Sequence, residues 1–319
     1  MDLTEEIERL RVRCIGCAKC SNACPSMEKG GMDPMEIMMG GEADLSTCIT
    51  CGNCTRVCHR TDPCAVIKDM IAMERDIHVS QTFRDTGFAM EPVEISPAPE
   101  WGGDDIMVML GCTVRSLTPY LPYAMAVAMR SMGVGASVLP EETCCLHPTQ
   151  FREMQEIERR SYRSAMGRSA GGKRIVALCP GCSEELRGAM VDAEHVIQFL
   201  AANIDRLPRF RTPIKVAMEP GCSALPYRKE MRAVLEAMGC TVTNRDFGCC
   251  GKRNALAPEL MEDRERECAG ADWIVVGCPL CLDRYDDQED GLPVMHIAEL
   301  VALAAGDGTT LDLHRIRKQ

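Results

Sequence analysis

The chain has 319 residues, 46% hydrophobic and 26% charged, an ordinary globular composition long enough for roughly two domains with cores of their own. Against 47 Asp and Glu stand 36 Lys and Arg, and a formal charge of -11 leaves no cationic surplus to displace counterions from phosphates, which argues against a nucleic-acid partner. No apolar run reaches the ~18 residues of a membrane helix. The opening MDLTEEIERL is acidic and lacks the basic and apolar regions of a secretory signal, so a reducing, cytoplasmic setting is expected. Twenty-one cysteines are the anomaly, and their odd number and short spacings favour coordination over a disulfide framework.

In chain order, residues 1–78 form a first domain: a charge-laced opening helix and nine cysteines. Its first motif is Cys14-x2-Cys17-x2-Cys20-x3-Cys24-Pro25, and its second is Cys48-x2-Cys51-x2-Cys54-x3-Cys58. This is the bacterial ferredoxin pattern, in which three close thiolates hold one cubane [4Fe-4S] cluster and the fourth cysteine crosses to the other. Two cubanes are expected, one on Cys14, Cys17, Cys20 and Cys58 and the other on Cys48, Cys51, Cys54 and Cys24. Zinc in two four-thiolate sites is the alternative. His59 stands where the pattern has a second proline, a departure that removes no ligand.

Residues 79–103 read as a linker, with Pro92, Pro97 and Pro99 among acidic residues and a closing Gly102-Gly103. Beyond it, four apolar segments each run into a cysteine: DIMVMLGC from Asp105, KRIVALCPGC from Lys173, IKVAMEPGC from Ile214 and WIVVGCPLC from Trp273. Each reads as a buried strand ending at a site. They are two copies of one unit, over 104–205 and 206–319. Gly111-Cys112 matches Gly221-Cys222, Cys144-Cys145 matches Cys249-Cys250, and Cys179-Pro-Gly-Cys182 matches Cys278-Pro-Leu-Cys281. The segments AMAVAMRSMG and MRAVLEAMG have helical periodicity and stop at glycine. The expected fold is α+β and α/β: a helical di-cluster ferredoxin-like domain, then two duplicated α/β domains with parallel strands whose five cysteines converge at the strand C-termini.

A single cysteine, a Cys-Cys pair and a Cys-Pro-x-Cys pair, occurring twice, suit a polynuclear iron-sulfur centre better than tetrahedral zinc. Here the chain resembles the heterodisulfide reductase family, with the ferredoxin-like domain fused to the two CCG domains of the catalytic subunit. The resemblance implies two noncubane [4Fe-4S] centres, one on Cys112, Cys144, Cys145, Cys179 and Cys182, the other on Cys222, Cys249, Cys250, Cys278 and Cys281. In the family these ten cysteines carry the catalysis, reducing the coenzyme M–coenzyme B disulfide with electrons relayed through the cubanes, in the setting of methanogenesis. An electron-donating flavoprotein or membrane cytochrome subunit, a hetero-oligomer and a small disulfide substrate are implied. The cytoplasmic location extends to peripheral attachment at the membrane through such a partner. The alternatives are an electron-transfer subunit of a flavin dehydrogenase acting on glycerol 3-phosphate, lactate or glycolate, or of a thiol:fumarate reductase. Two departures stand out: 26 residues separate Cys222 from Cys249 against 31 between Cys112 and Cys144, and Leu146-His147 follows the first pair where glycine is usual.

Three cysteines are left over. Cys64, Cys240 and Cys268 read as structural, buried small side chains. Met125, Met129 and Met132 fall on one helical face as core. His147 is a candidate proton donor to a departing thiolate. Arg115, Lys252 and Arg253 are candidates for the anionic ends of a substrate, with solvated cations the alternative. A thioredoxin-type dithiol is the weaker reading of each Cys-Pro-x-Cys pair.

Overall fold

The computed structural model describes residues 2–245, 247–251, 254–288 and 291–315. They form two compact units that follow packing rather than chain order. The first comprises Met1–Gln81, Pro148–Arg159 and Gly248–Arg264; the second comprises Thr82–His147, Arg160–Phe247 and Glu265–Gln319. The stretch 79–103 contains a helix, Gln81–Thr86, with Phe83 buried.

The first unit is helical. Asp2 caps the helix Leu3–Arg11, Glu5 and Glu6 lie in its first turn and Arg9 and Arg11 in its last, all favourable with the helix dipole. Its buried residues, Ile7 and Leu10, join Ile37, Val66, Ile67 and Ile71 in one core. The longest helix of this unit's opening segment, Pro63–Glu74, starts with proline at its first position behind the cap of Asp62, whose carboxylate accepts from the Ala65 amide. Asp69, on the same helix, is buried and accepts from Arg152 at 2.5 and 3.0 Å, which ties Pro148–Arg159 to the helix. Asn254 similarly reaches the Ser46 carbonyl at 2.9 Å.

The second unit contains two four-stranded, all-parallel sheets. Strands β1 (Ile106–Met109), β2 (Ala136–Val138), β3 (Ile175–Ala177) and β4 (Ala193–His195) lie in the order β2-β1-β3-β4. Strands β5 (Ile214–Glu219), β6 (Cys240–Val242), β7 (Trp273–Val276) and β8 (Val294–His296) repeat it as β6-β5-β7-β8. The predicted strands are present, and so are both helices, at Leu121–Ser131 and Arg228–Ala237. Met125, Met129 and Met132 are buried. The two halves pack reciprocally: Leu121–Ser131 lies against the helix Ile297–Ala304, and Val196–Ala202 against Arg228–Ala237. In each sheet the connections leave the first strand one way and return on its other side. The crevice between β1 and β3, or between β5 and β7, is therefore the place where an open parallel sheet presents a site.

Candidate functional site

The two ferredoxin motifs fold alike. In Cys14–Cys20 the left-handed residues are Gly16 (φ 65°) and Ala18 (φ 57°); in Cys48–Cys54 they are Thr50 (φ 48°) and Gly52 (φ 76°). The same two positions reverse the backbone in both loops, although glycine occupies a different one in each. Cys14, Cys17, Cys20 and Cys58 line one cavity of about 370 Å³ with Lys19, His59 and Arg60. Cys24, Cys48, Cys51 and Cys54 line another, of about 20 Å³. Each cavity thus takes three thiols from one motif and one from the other. Cys64, read from the sequence as structural, is buried as that reading expects, and it also lines the second cavity, its thiol hydrogen-bonded with that of Cys54. Burial pushes the Cys48 thiol up to about 12, while the Thr50 amide donates to its Sγ at 3.4 Å.

At the β1/β3 crevice five thiols form an unbroken chain of contacts. Cys112 meets Cys144, Cys144 meets Cys145, Cys182 donates to Cys145 at 3.4 Å, and Cys182 meets Cys179. Cys179 in turn contacts Cys278 at the end of β7. Hydrogen bonds from Cys144 and Cys182 hold Cys145 well below the usual thiol range, and those from Cys182 and Cys278 do the same for Cys179; nearby His147 favours the thiolate in both. Their donors Cys144, Cys182 and Cys278 are raised.

Close approach explains the glycine before each leading cysteine. A Cβ on Gly111 would lie 3.0 Å from Cys182 Sγ, and one on Gly221 would lie 3.0 Å from Cys278 Cβ and 3.3 Å from Cys281 Sγ. Amides complete the sulfur environment, with Ala89 donating to Cys112 and Leu146 to Cys144, both at 3.4 Å. Leu146 adopts φ 63°, as Gly251 adopts φ 67° after the second pair, so the missing glycine leaves the local backbone unchanged. Of the second set, Cys222, Cys278 and Cys281 belong to the second unit, and Cys249 and Cys250 to the first.

His147 Nδ1 bonds Glu185 at 2.9 Å, Arg163 pairs with the other Glu185 oxygen at 2.5 Å, and Arg163 also donates to the Cys145 carbonyl at 3.0 Å. Arg115 is committed to buried Glu142 at 2.7 Å and lies over Phe88, which leaves it poorly suited to meet a substrate anion. Lys252 and Arg253 lie outside the described residues. Cys240 opens β6, and Cys268 ends a helix with its thiol 3.9 Å from Glu219; both are buried.

The sequence reading missed His195 and His296. Each ends the last strand of its sheet and caps the next helix, Nδ1 accepting from Ile197 at 3.4 Å or Ala298 at 3.3 Å, which puts the ring proton on Nε2. Both rings are wholly buried, and among the described residues neither Nε2 makes a well-aligned hydrogen bond. Burial, with the neighbouring His296, takes His195 down to about 3, and burial takes His296 down to about 4, so both are neutral. The Leu178 and Gly277 backbones, next to Cys179 and Cys278, lie beside both rings. The signal was present in the repeat, since Glu-His195-Val-Ile-Gln matches Met-His296-Ile-Ala-Glu.

Among the described residues no three of His, Cys, Asp or Glu are gathered tightly enough for a single ion. The thiols instead line cavities or lie end to end, and sets of four or five soft sulfur donors fit iron-sulfur clusters in chemistry and number. Comparison with known families agrees. Residues 6–59 match the 4Fe-4S dicluster domain, and residues 106–187 and 216–283 match the cysteine-rich CCG domain. No curated protein matches the chain. These matches define an iron-sulfur protein of the electron-transfer and oxidoreductase class. It has the architecture of the heterodisulfide reductase family, a 4Fe-4S dicluster domain followed by two CCG domains. Among the described residues no helix is long and apolar enough to cross a membrane.

Proposed function

We propose that the chain is the catalytic subunit of a heterodisulfide reductase, cleaving the mixed disulfide of coenzymes M and B with electrons from a flavoprotein or cytochrome partner on the cytoplasmic side. The observation that carries this reading is the chain of five thiols at the β1/β3 crevice, continued by Cys278 from the second repeat. Cys112, Cys144, Cys145, Cys179 and Cys182 would hold one noncubane centre, and Cys222, Cys249, Cys250, Cys278 and Cys281 the other. When bound, such centres supply electrons singly and offer iron open to sulfur.

The protein's own residues do the rest. Gly111 and Gly221 leave room beside the Cys-Pro-x-Cys thiols. Cleavage consumes two electrons and two protons and releases two thiols. His147, oriented through Nδ1 by Glu185, presents Nε2 as the proton donor to one departing thiolate.

A second reading, an electron relay for a flavin dehydrogenase, is favoured by burial: Cys112, Cys144, Cys145 and Cys182 are all buried, with Cys179 the most accessible of the five. Adding coenzyme M or coenzyme B thiol to the oxidised protein separates the two. An altered paramagnetic resonance signal, and dye-driven disulfide reduction that Cys145→Ser abolishes, support the enzyme. A signal indifferent to both thiols, with no reduction by intact protein, supports the relay.

A further inference from the structure

The proline absent after Cys58 reappears five residues later. After Cys24, Pro25 opens the short helix Pro25–Glu28 at once; after Cys58, the chain runs on to Asp62 and Pro63 before the helix Pro63–Glu74 begins. This delay puts Cys64 at the second position of that helix, where the first motif has Gly30 at the same offset. Its position is fixed twice over. The Cys64 amide donates to Thr55 Oγ1 at 3.0 Å, and that hydroxyl donates to the capping carboxylate of Asp62 at 2.5 Å. So held, the thiol is buried in the cavity lined by Cys24, Cys48, Cys51 and Cys54, hydrogen-bonded with Cys54 and close enough to Cys48 for their charges to interact. The cavity of Cys14, Cys17, Cys20 and Cys58 has four thiols and no fifth.

We propose that the second ferredoxin-type centre is a five-thiol site, in which Cys64 stands beside Cys54 as a reserve ligand and takes over its iron when Cys54 is lost. Four thiolates satisfy a cubane, so the fifth is held one contact away, beside a ligand sulfur. Exchange needs only a rotation about the side-chain bonds of Cys64, because the residue already lines the cavity. The inference rests on the dicluster assignment of the front domain and is independent of what the CCG domains reduce.

The test uses the full chain, purified anaerobically, with iron, acid-labile sulfide and paramagnetic resonance as readouts. Cys20 and Cys54 are the third cysteines of their motifs, which makes the first motif the internal control. Cys54→Ala should keep the iron of the unmodified protein with an altered signal, whereas Cys20→Ala, with no reserve thiol, should lose about four irons. The double variant Cys54→Ala/Cys64→Ala should also lose about four. If it fails to accumulate where both single variants do, that has the same meaning. Loss of iron from Cys54→Ala alone, or full iron in the double variant, would overturn the proposal.

Discussion

Thr50 holds φ 48° with a branched Cβ, a conformation that costs about 1 kcal/mol or more outside glycine. The return is local: the reversed backbone aims the Thr50 amide at Cys48 Sγ and turns the loop around its cavity. Ala18 bears the same strain in the first motif. Thr50→Gly should therefore raise stability by about 1 kcal/mol without altering iron content, measured by anaerobic chemical denaturation. A destabilised variant would mean that the Thr50 side chain contributes more than the strain removes. The opposite holds at Gly111, where φ is 80° and an added Cβ would press on Cys182 Sγ. Gly111→Ala should reduce iron by about four per chain and spare the ferredoxin-type signals; unchanged iron would show that the crevice tolerates the methyl group.

Helix starts do much of the positioning at the next scale. His195 and His296 are capping side chains whose rings sit against the backbone next to Cys179 and Cys278, so one residue type both begins a helix and walls the site. His195→Ala should cost about 1–2 kcal/mol through the lost cap, and His195→Asn, which can still accept from the helix amides, should recover most of it. Equal losses in thermal denaturation would assign the effect to ring packing instead. Pro180 and Pro279 begin helices directly after Cys179 and Cys278, which leaves those thiols at a strand-to-helix junction.

For the whole molecule, four four-iron sites should give about sixteen irons per chain and essentially no zinc; about twelve with one zinc would make one CCG site structural. Stability should also depend on alkaline pH. His314 is buried between Glu299, 3.0 Å away, and Asp286, 3.3 Å away; burial opposes its charge, but the carboxylates prevail and raise it to about 9. The protonated ring therefore stabilises the fold fully below the unfolded value near 6.5, on the order of 3 kcal/mol, and this is lost as pH rises through about 9. Melting temperatures between pH 6.5 and 9 should fall for the unmodified protein and stay flatter for His314→Gln; parallel curves would remove His314 as the cause.

Local sequence determined the parallel sheets, the paired motifs and the cysteines available as ligands. Strand burial, helix periodicity and cysteine spacing are properties of neighbouring residues, legible without a fold. Only tertiary structure decided what depends on residues far apart in sequence. Cys64 looked like a spectator because it lies outside the motif spacing, yet the delayed helix brings it to the cavity of Cys54. Arg115 looked available until Glu142, 27 residues on, claimed it. Cys249 and Cys250 lie within the second repeat in sequence but pack in the first unit, because Gly248–Arg264 takes its contacts there. Spacing specifies which atoms can meet along a few residues of backbone; which distant side chains fill the remaining coordination and charge is set by packing the whole chain.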